Sequence, residues 1–268
     1  VGKESLFVED ESDSFSFHKT FCIVQQLALK MALQFNRQLV ALPGIDKMST
    51  PRISFLNCYV MILHGQKDSS AKFLLVEKML DHLKYKKWNN NDGYVDGMSL
   101  DEYHTMKTEG RAPSKPVCHG KSAHAECKFS IEDVPQAYSH FTYLASGRKF
   151  LVCDLQGVLD TSIWPPVFEL TDPAIHYSEM TNRKDYGRTD RGEQGIQDFL
   201  KTHTCSNLCH MLLKCWINDP LDNEVIHYED ILNKQGQVPS LQAKTGTLAR
   251  PNNDGIECPG PKKSVRFG

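Results

Sequence analysis

The stretch that decides the fold runs from Lys149 to Asp160, K-F-L-V-C-D-L-Q-G-V-L-D, and resumes from Leu170 to His176 as L-T-D-P-A-I-H. Phe150-Leu151-Val152-Cys153 is an apolar run between charges, which predicts a short buried strand. Asp154 and Gln156 follow two residues apart and share one side of the chain if the backbone stays extended. Gly157 then permits a turn. A carboxylate and an amide at the mouth of a buried strand add little to packing, whereas their oxygens suit a hard cation or a substrate hydroxyl. Asp172-Pro173 supplies a second carboxylate in a turn-forming pair. The plainer alternative is that both aspartates only cap turns.

The composition fits a globular protein. The chain has 268 residues, 40% hydrophobic and 24% charged, room for one large domain or two small lobes. A net charge of −2 gives no bulk field toward nucleic acid or anionic lipid. No apolar run approaches the roughly 20 residues that span a bilayer, and no signal-peptide pattern opens the chain. The nine cysteines, at 22, 58, 118, 127, 153, 205, 209, 215 and 258, are odd in number and scattered. That pattern predicts reduced thiols and an intracellular, cytoplasmic setting. The chain lacks an initiator Met and reads as a fragment of something longer.

Upstream of the central stretch, Ser130 to Tyr143 predicts a helix carrying His140 among aromatic residues. Asp96 to Lys128 is polar and reads as a long surface insertion or ordered loop. It holds Cys118, His119, His124 and Cys127, whose spacing matches no standard zinc finger. Ile53 to Leu63 and Phe73 to Glu77 predict two strands in an antiparallel pair. Thr20 to Asn36 predicts a helix with a broad apolar face, and Glu9 to Ser16 before it a loop. Val1 to Val8 begins as the end of a strand carrying Lys3. Downstream, Thr161 to Glu169 interrupts the central stretch, with Trp164-Pro165-Pro166 excluding regular helix. Gly187 to Gly192 is a polar turn, Glu193 to Thr202 a helix, and His203 to Lys214 helical again. From Lys234 the composition predicts a flexible tail.

His203-Thr204-Cys205-Ser206-Asn207-Leu208-Cys209 has the form H-x-C-x3-C. Cys205 and Cys209 lie four apart, so on a helix both thiolates face one way, and His203 can swing to the same point. Tetrahedral zinc needs a fourth ligand. His140 is the best candidate, with His210 and Cys215 as local competitors. The alternative is two half-buried cysteines beside a surface histidine.

Five segments in order carry a family resemblance: 136–143 (Q-A-Y-S-H-F-T-Y), 154–158 (D-L-Q-G-V), 170–176 (L-T-D-P-A-I-H), Gly187 to Gly192, and 202–209 (T-H-T-C-S-N-L-C). The chain resembles the atypical α-kinases, the myosin heavy chain kinase, elongation factor 2 kinase and channel-kinase type. Weaker similarity continues through 88–91 (W-N-N-N) and 25–28 (Q-Q-L-A) to 1–3 (V-G-K). The resemblance implies an α+β, two-lobed protein-kinase-like fold with an N-terminally truncated small lobe and a zinc-stapled large lobe. Residues 1–95 then form a partial small lobe and interlobe link, 96–128 a polar insertion, 129–233 the large catalytic lobe, and 234–268 the tail.

The implied activity moves the γ-phosphoryl group of ATP to Ser or Thr of a protein substrate, with Mg2+ and Zn2+ as cofactors, no nucleic acid partner and no membrane segment in this chain. By resemblance, Lys3 holds the phosphates, while Glu77 and Leu80 meet adenine through their backbone. Asp154 and Asp172 are catalytic, with Asp154 acting on the substrate hydroxyl and Gln156 with Asp172 holding magnesium. The loop Gly187 to Gly192 binds nucleotide or peptide, and His140, His203, Cys205 and Cys209 match the zinc ligands one for one. Three departures stand out. Thr161 to Glu169 reads as an insertion that lengthens the gap between the aspartates. Ile23 occupies the place of a helix glutamate that would pair with the lysine. Asp190-Arg191 replaces the usual Asn-Leu. The competing reading is a catalytically impaired pseudokinase or zinc-stabilised interaction module of the same fold.

Overall fold

The computed structural model describes residues 1–3, 11–64, 71–109, 129–179 and 186–218. The cysteine–histidine group between 118 and 127 and the tail after Lys234 lie outside them. The described residues belong to one compact unit, Val1–Tyr228. Among them no helix is long and apolar enough to cross a membrane.

Helix α1 (Glu11–Ala41) is much longer than the expected Thr20 to Asn36. No Gly or Pro interrupts it before Pro43-Gly44. The acidic segment from Glu11 to Ser16, expected as loop, is helical, and there Phe15 packs on Phe73 with ring centroids 5.3 Å apart. Its core face, Val24, Leu27, Ala28, Met31, Ala32, Phe35 and Leu39, is almost wholly buried. Strands β1 (Gly2–Lys3), β3 (Cys58–His64) and β4 (Ala71–Glu77) form a three-stranded antiparallel sheet in the order β1-β4-β3. The expected pairing of the two upstream strands is therefore present.

The single strand expected over Ile53 to Leu63 is in fact two strands in two sheets. β2 (Arg52–Phe55) pairs in parallel with β8 (Val167–Thr171), and only from Cys58 does β3 join β4. Side chains explain the break. Asn36 of α1 donates to the Ile53 carbonyl (2.8 Å) and accepts from the Ile53 amide (3.0 Å), sealing one edge of β2. Gln25 takes the Leu56 carbonyl at 2.6 Å, and the Leu56 amide bonds Leu170.

β7 (Gln156–Asp160) and β8 form a hairpin, so Val167–Glu169 is ladder and not a looped-out insertion. β5 (Lys86–Lys87) completes the sheet in the order β2-β8-β7-β5. The strands β6 (Phe150–Cys153) and β9 (Ala174–Tyr177) make a separate buried pair. Gly157 of β7 has no room for a side chain: at φ +151, a Cβ there would collide with the Glu169 carbonyl of β8.

Helix α2 (Leu100–Glu109) stands where a surface loop was expected. It has no buried residue, so apolar periodicity could not reveal it. Its polar signals are nonetheless regular. The Ser99 hydroxyl caps the Glu102 amide, Asp101 and Glu102 fill the first turn, and Lys107 sits in the last. Helix α3 (Asp133–Ala145) lies where expected; its Tyr138 hydroxyl donates to the Ala28 carbonyl of α1 at 2.7 Å. Helix α4 (Gly192–Thr202) and helix α5 (Asn207–Asn218) are separated by a non-helical His203 to Ser206, so helix does not begin at His203. A buried cluster of Leu151, Cys153, Ala174, Ile196 and Phe199 joins β6 and β9 to α4.

Candidate active site and metal centre

Asp154 and Asp172 are brought together by two sharp reversals. Asp154 leaves β6 at φ +59 and Asp172 leaves β8 at φ +52, both in the left-handed region that Asp tolerates better than most residues. The strand between Asp154 and Gln156 is therefore not extended, as the two-residue spacing had implied. Gln156 pairs in register with Thr171, which sets the two aspartates on either side of one rung. Its amide Nε2 donates to Asp154 Oδ2 (3.4 Å) and to the Asp172 carbonyl (3.3 Å). The three side chains thus form one cluster.

Lys3 reaches this cluster from β1. Its Nζ lies 2.8 and 2.9 Å from the two carboxylate oxygens of Asp172 and 2.5 Å from Glu77 Oε1. Burial by itself lowers the Lys3 pKa, but the Asp172 and Glu77 carboxylates outweigh it and hold the ammonium above its ordinary value. Glu77 is the acidic partner that the helix position of Ile23 lacks, and it comes from β4. Its carboxylate is buried and also accepts from the Thr171 hydroxyl at 2.7 Å. The Glu77 backbone pairs with Val1, its amide donating to the Val1 carbonyl and its carbonyl accepting from the Val1 amine. Gln25 closes the set: its Oε1 accepts from the Asp172 amide at 3.2 Å. Leu80, half-buried, follows in the link after β4.

A second cation went unread in the sequence. Lys87 of β5 places Nζ 2.6 Å from Asp154 Oδ1. Burial pushes the Asp154 carboxyl above the ordinary range, Lys87 opposes the shift, and Asp172 and Asp92 add to it. No local pattern marks Lys87, since β5 is two residues long and both are exposed. The next residues fasten this edge to α3: the Asn89 amide donates to Ser139 (3.1 Å), and its oxygen accepts from the Leu155 amide (2.9 Å).

Asp154, Gln156 and Asp172 open onto a cavity of about 620 Å3. Its other walls are the N-terminal part of α1, Pro173, and Tyr186 to Thr189. Of the expected glycine loop, Gly187 lines the cavity, whereas Gly192 begins α4. Asp190 and Arg191, the residues that depart from the usual pattern, build the loop's anchor. Asp190 Oδ1 accepts from the amides of Gly192 (2.7 Å) and Tyr177 (3.1 Å). Arg191 bonds Asp92 Oδ1 and Asp198 Oδ2, each at 2.6 Å. The buried His176 ring accepts from the Arg191 amide at Nδ1, so its Nε2–H donates to the Asn91 carbonyl. Burial holds this imidazole neutral, its pKa lowered to about 4.

In a second cluster, one ligand atom each from His140, His203, Cys205 and Cys209 lies within 4.8 Å of the others. The His203 Nε2 to His140 Nδ1 distance is 3.1 Å. The Cys205 Sγ to His140 Nδ1 distance is 3.5 Å, and Cys209 Sγ to His203 Nε2 is 3.6 Å. A tetrahedral zinc with ordinary Zn–N and Zn–S bonds has edges of about 3.3 Å between nitrogens and about 3.6 Å between nitrogen and sulfur. The four residues fit that ion. Cys205 lies ahead of α5 and not on it, so convergence comes from the bend at His203, whose ring stacks on Phe199 with centroids 5.1 Å apart. Hydrogen bonds from the Cys209 thiol, then from His140 and His203, hold the Cys205 thiol far below its ordinary pKa. Among the described residues His210 does not join the group; the side chain of Cys215, the other local competitor, lies outside them.

Comparison with known proteins gives the family. The alpha-kinase family model matches residues 1–109 and 117–209. Alpha-protein kinase 1 of Dictyostelium discoideum is 29% identical over 77% of this chain, which spans 11% of that protein. Eukaryotic elongation factor 2 kinase of Mus musculus is 36% identical over 31% of this chain, which spans 10% of it. The solved alpha-kinase domain of myosin heavy chain kinase A in complex with AMP aligns over 77% of this chain and 63% of its own, at TM-score 0.50 and 23% identity. The fold is the two-lobed alpha-kinase type, and the chain belongs to the alpha-kinase family.

Proposed function

We propose that this chain carries the catalytic centre of a protein serine/threonine kinase, which transfers the γ-phosphoryl group of ATP to a Ser or Thr hydroxyl. The observation that carries the reading is the single hydrogen-bonded cluster of Lys3, Glu77, Asp154, Gln156 and Asp172 on this family's fold. Phosphoryl transfer needs in-line positioning and positive charge on the transferring oxygens more than covalent help. Asp154 accepts the proton of the attacking hydroxyl as the new O–P bond forms and the bond to ADP breaks. Its raised pKa suits a base, and Lys87 keeps the carboxylate aimed. Lys3 exchanges a carboxylate of Asp172 for phosphate oxygens, while Glu77 fixes its direction. Adenine lies against the link at Glu77 and Leu80. Gly187 belongs to the wall that faces the reacting groups, and Gly192 to its anchor.

The oxygens of Gln156 and Asp172 are hard donors of the kind magnesium takes, and that ion supplies charge against the phosphates. His140, His203, Cys205 and Cys209 form a closed zinc site, with four protein ligands and no position left for substrate, which is a structural role. The impaired-pseudokinase alternative loses one of its supports, the lost helix glutamate, because Lys3 has an acidic partner at Glu77. Free thiols at Cys22, Cys58 and Cys153 fit a cytoplasmic setting.

The test is label transfer from γ-labelled ATP to a generic Ser/Thr acceptor protein and to the chain itself. Asp154→Ala and Asp172→Ala should each abolish transfer with the melting temperature shifted by only a few degrees. Undiminished transfer by both variants would refute the assignment.

A further inference from the structure

Helix α1 buries its core face from Val24 to Leu39, but its N-terminal part turns a different set of residues inward. Phe17, Thr20, Phe21 and Val24, at the i, i+3, i+4, i+7 spacing of one helix face, line the 620 Å3 cavity above the carboxylates. The facing wall is Gly187 to Thr189. The two walls approach at one point, where a Cβ on Gly187 would lie 3.8 Å from Thr20 Cγ2. The volume falls within the range of ligand sites, so the apolar face is open to an occupant of some size.

The charges decide which occupant. A triphosphate needs several cations, yet among the described lining residues the one cation is Arg188, which is exposed. Lys3, Lys87, Glu77 and Leu80 are not part of the lining. Lys3 instead sits over the Phe21 ring at 5.8 Å, so that ring divides the lysine side from the cavity. Asp154 and Asp172 touch both sides. Resting on the kinase reading above, we infer that the cavity receives the acceptor segment of the protein substrate, and that an apolar side chain close to the acceptor hydroxyl packs on Phe17, Phe21 and Val24. The substrate class is thus a Ser/Thr segment with a Leu, Met or Phe neighbour, not one defined by charge alone.

The experiment scans Thr-containing peptides in which each position within three residues of the acceptor is varied. One position should favour Leu, Met or Phe over Asp or Lys by tenfold or more in kcat/KM. Phe17→Glu should reverse that preference toward Lys, with the KM for ATP unchanged. A flat preference in an active enzyme would overturn the inference and leave the kinase reading intact. Binding is measured separately by fluorescence anisotropy, using a labelled apolar peptide with Ala at the acceptor position. The wild type should bind it and Phe17→Glu should lose at least tenfold in affinity. Equal binding by both overturns the inference whatever the turnover, whereas binding lost in the variant but no transfer in either sinks only the kinase reading.

Discussion

Glu77→Gln is the most informative single change, because it keeps shape and removes one buried charge. In the wild type that carboxylate bonds Lys3 Nζ at 2.5 Å and the Thr171 hydroxyl at 2.7 Å. A hydrogen bond to a charged group contributes about 1.5–3 kcal/mol, and breaking a buried ion pair by deleting one partner costs about 3–5 kcal/mol. Lys3 keeps Asp172 and is one-third exposed, so the lower end applies to the ion pair. The expected loss is about 2–4 kcal/mol, a large share of the roughly 5–15 kcal/mol that keeps a domain folded. Urea unfolding followed by circular dichroism would measure it, and a cycle with Thr171→Val would isolate the hydroxyl bond, expected at about 1.5–3 kcal/mol. Activity should fall mainly through KM for ATP, because Lys3 loses the group that aims it. A stability change under about 0.5 kcal/mol, with coupling near zero, would show that Glu77 does not hold this cluster and refute the reasoning.

Chelation, or Cys205→Ser with Cys209→Ser, should release about one zinc per chain and unfold the region around α3 to α5, since structural zinc contributes about 10–16 kcal/mol in small finger peptides. Metal analysis and melting curves check this; an unchanged melting temperature in a zinc-free chain contradicts it. The rate should rise with pH as Asp154 ionises, with a midpoint above the ordinary aspartate value because burial raises its pKa. Lys87→Met removes the opposing cation and should move that acid limb further upward in a pH–rate profile. Asp154's own contribution to stability runs the other way, present below its unfolded pKa and lost as pH rises through the raised folded value. Gly195→Ala would set a Cβ 2.5 Å from the His176 ring and should cost a few kcal/mol by thermal melting, because that ring is fixed from both sides.

Where the sequence was legible, the signal was local. The apolar run of β6, the helix from Asp133, the helix from Gly192 and the H-x-C-x3-C spacing each sit within a few residues. The quartet needed one distant partner, and His140 stood out by its aromatic surroundings. The reading failed where a contact between distant residues decides. Lys3 and Glu77 are far apart in the chain, and so are Lys87 and Asp154. Nothing near Leu56 announces that the strand changes sheet there, because Asn36 and Gln25 enforce the change from another element. The spacing of Asp154 and Gln156 misled for a different reason: a left-handed residue between two strands removes the alternation that the argument assumed. Helix α2 was missed because its marks are a capping serine and ordered charges, with no apolar face.

The sheet in the order β2-β8-β7-β5 draws two of its strands from before residue 96 and two from after residue 129. Arg52 must therefore find Val167, and Lys87 must find Gln156, before the reactive groups have a floor. Such closures across long chain segments slow folding, and separated halves would each present raw strand edges prone to self-association. Split at any point between those strands, the polypeptide should regain order only by complementation, when both pieces are renatured together.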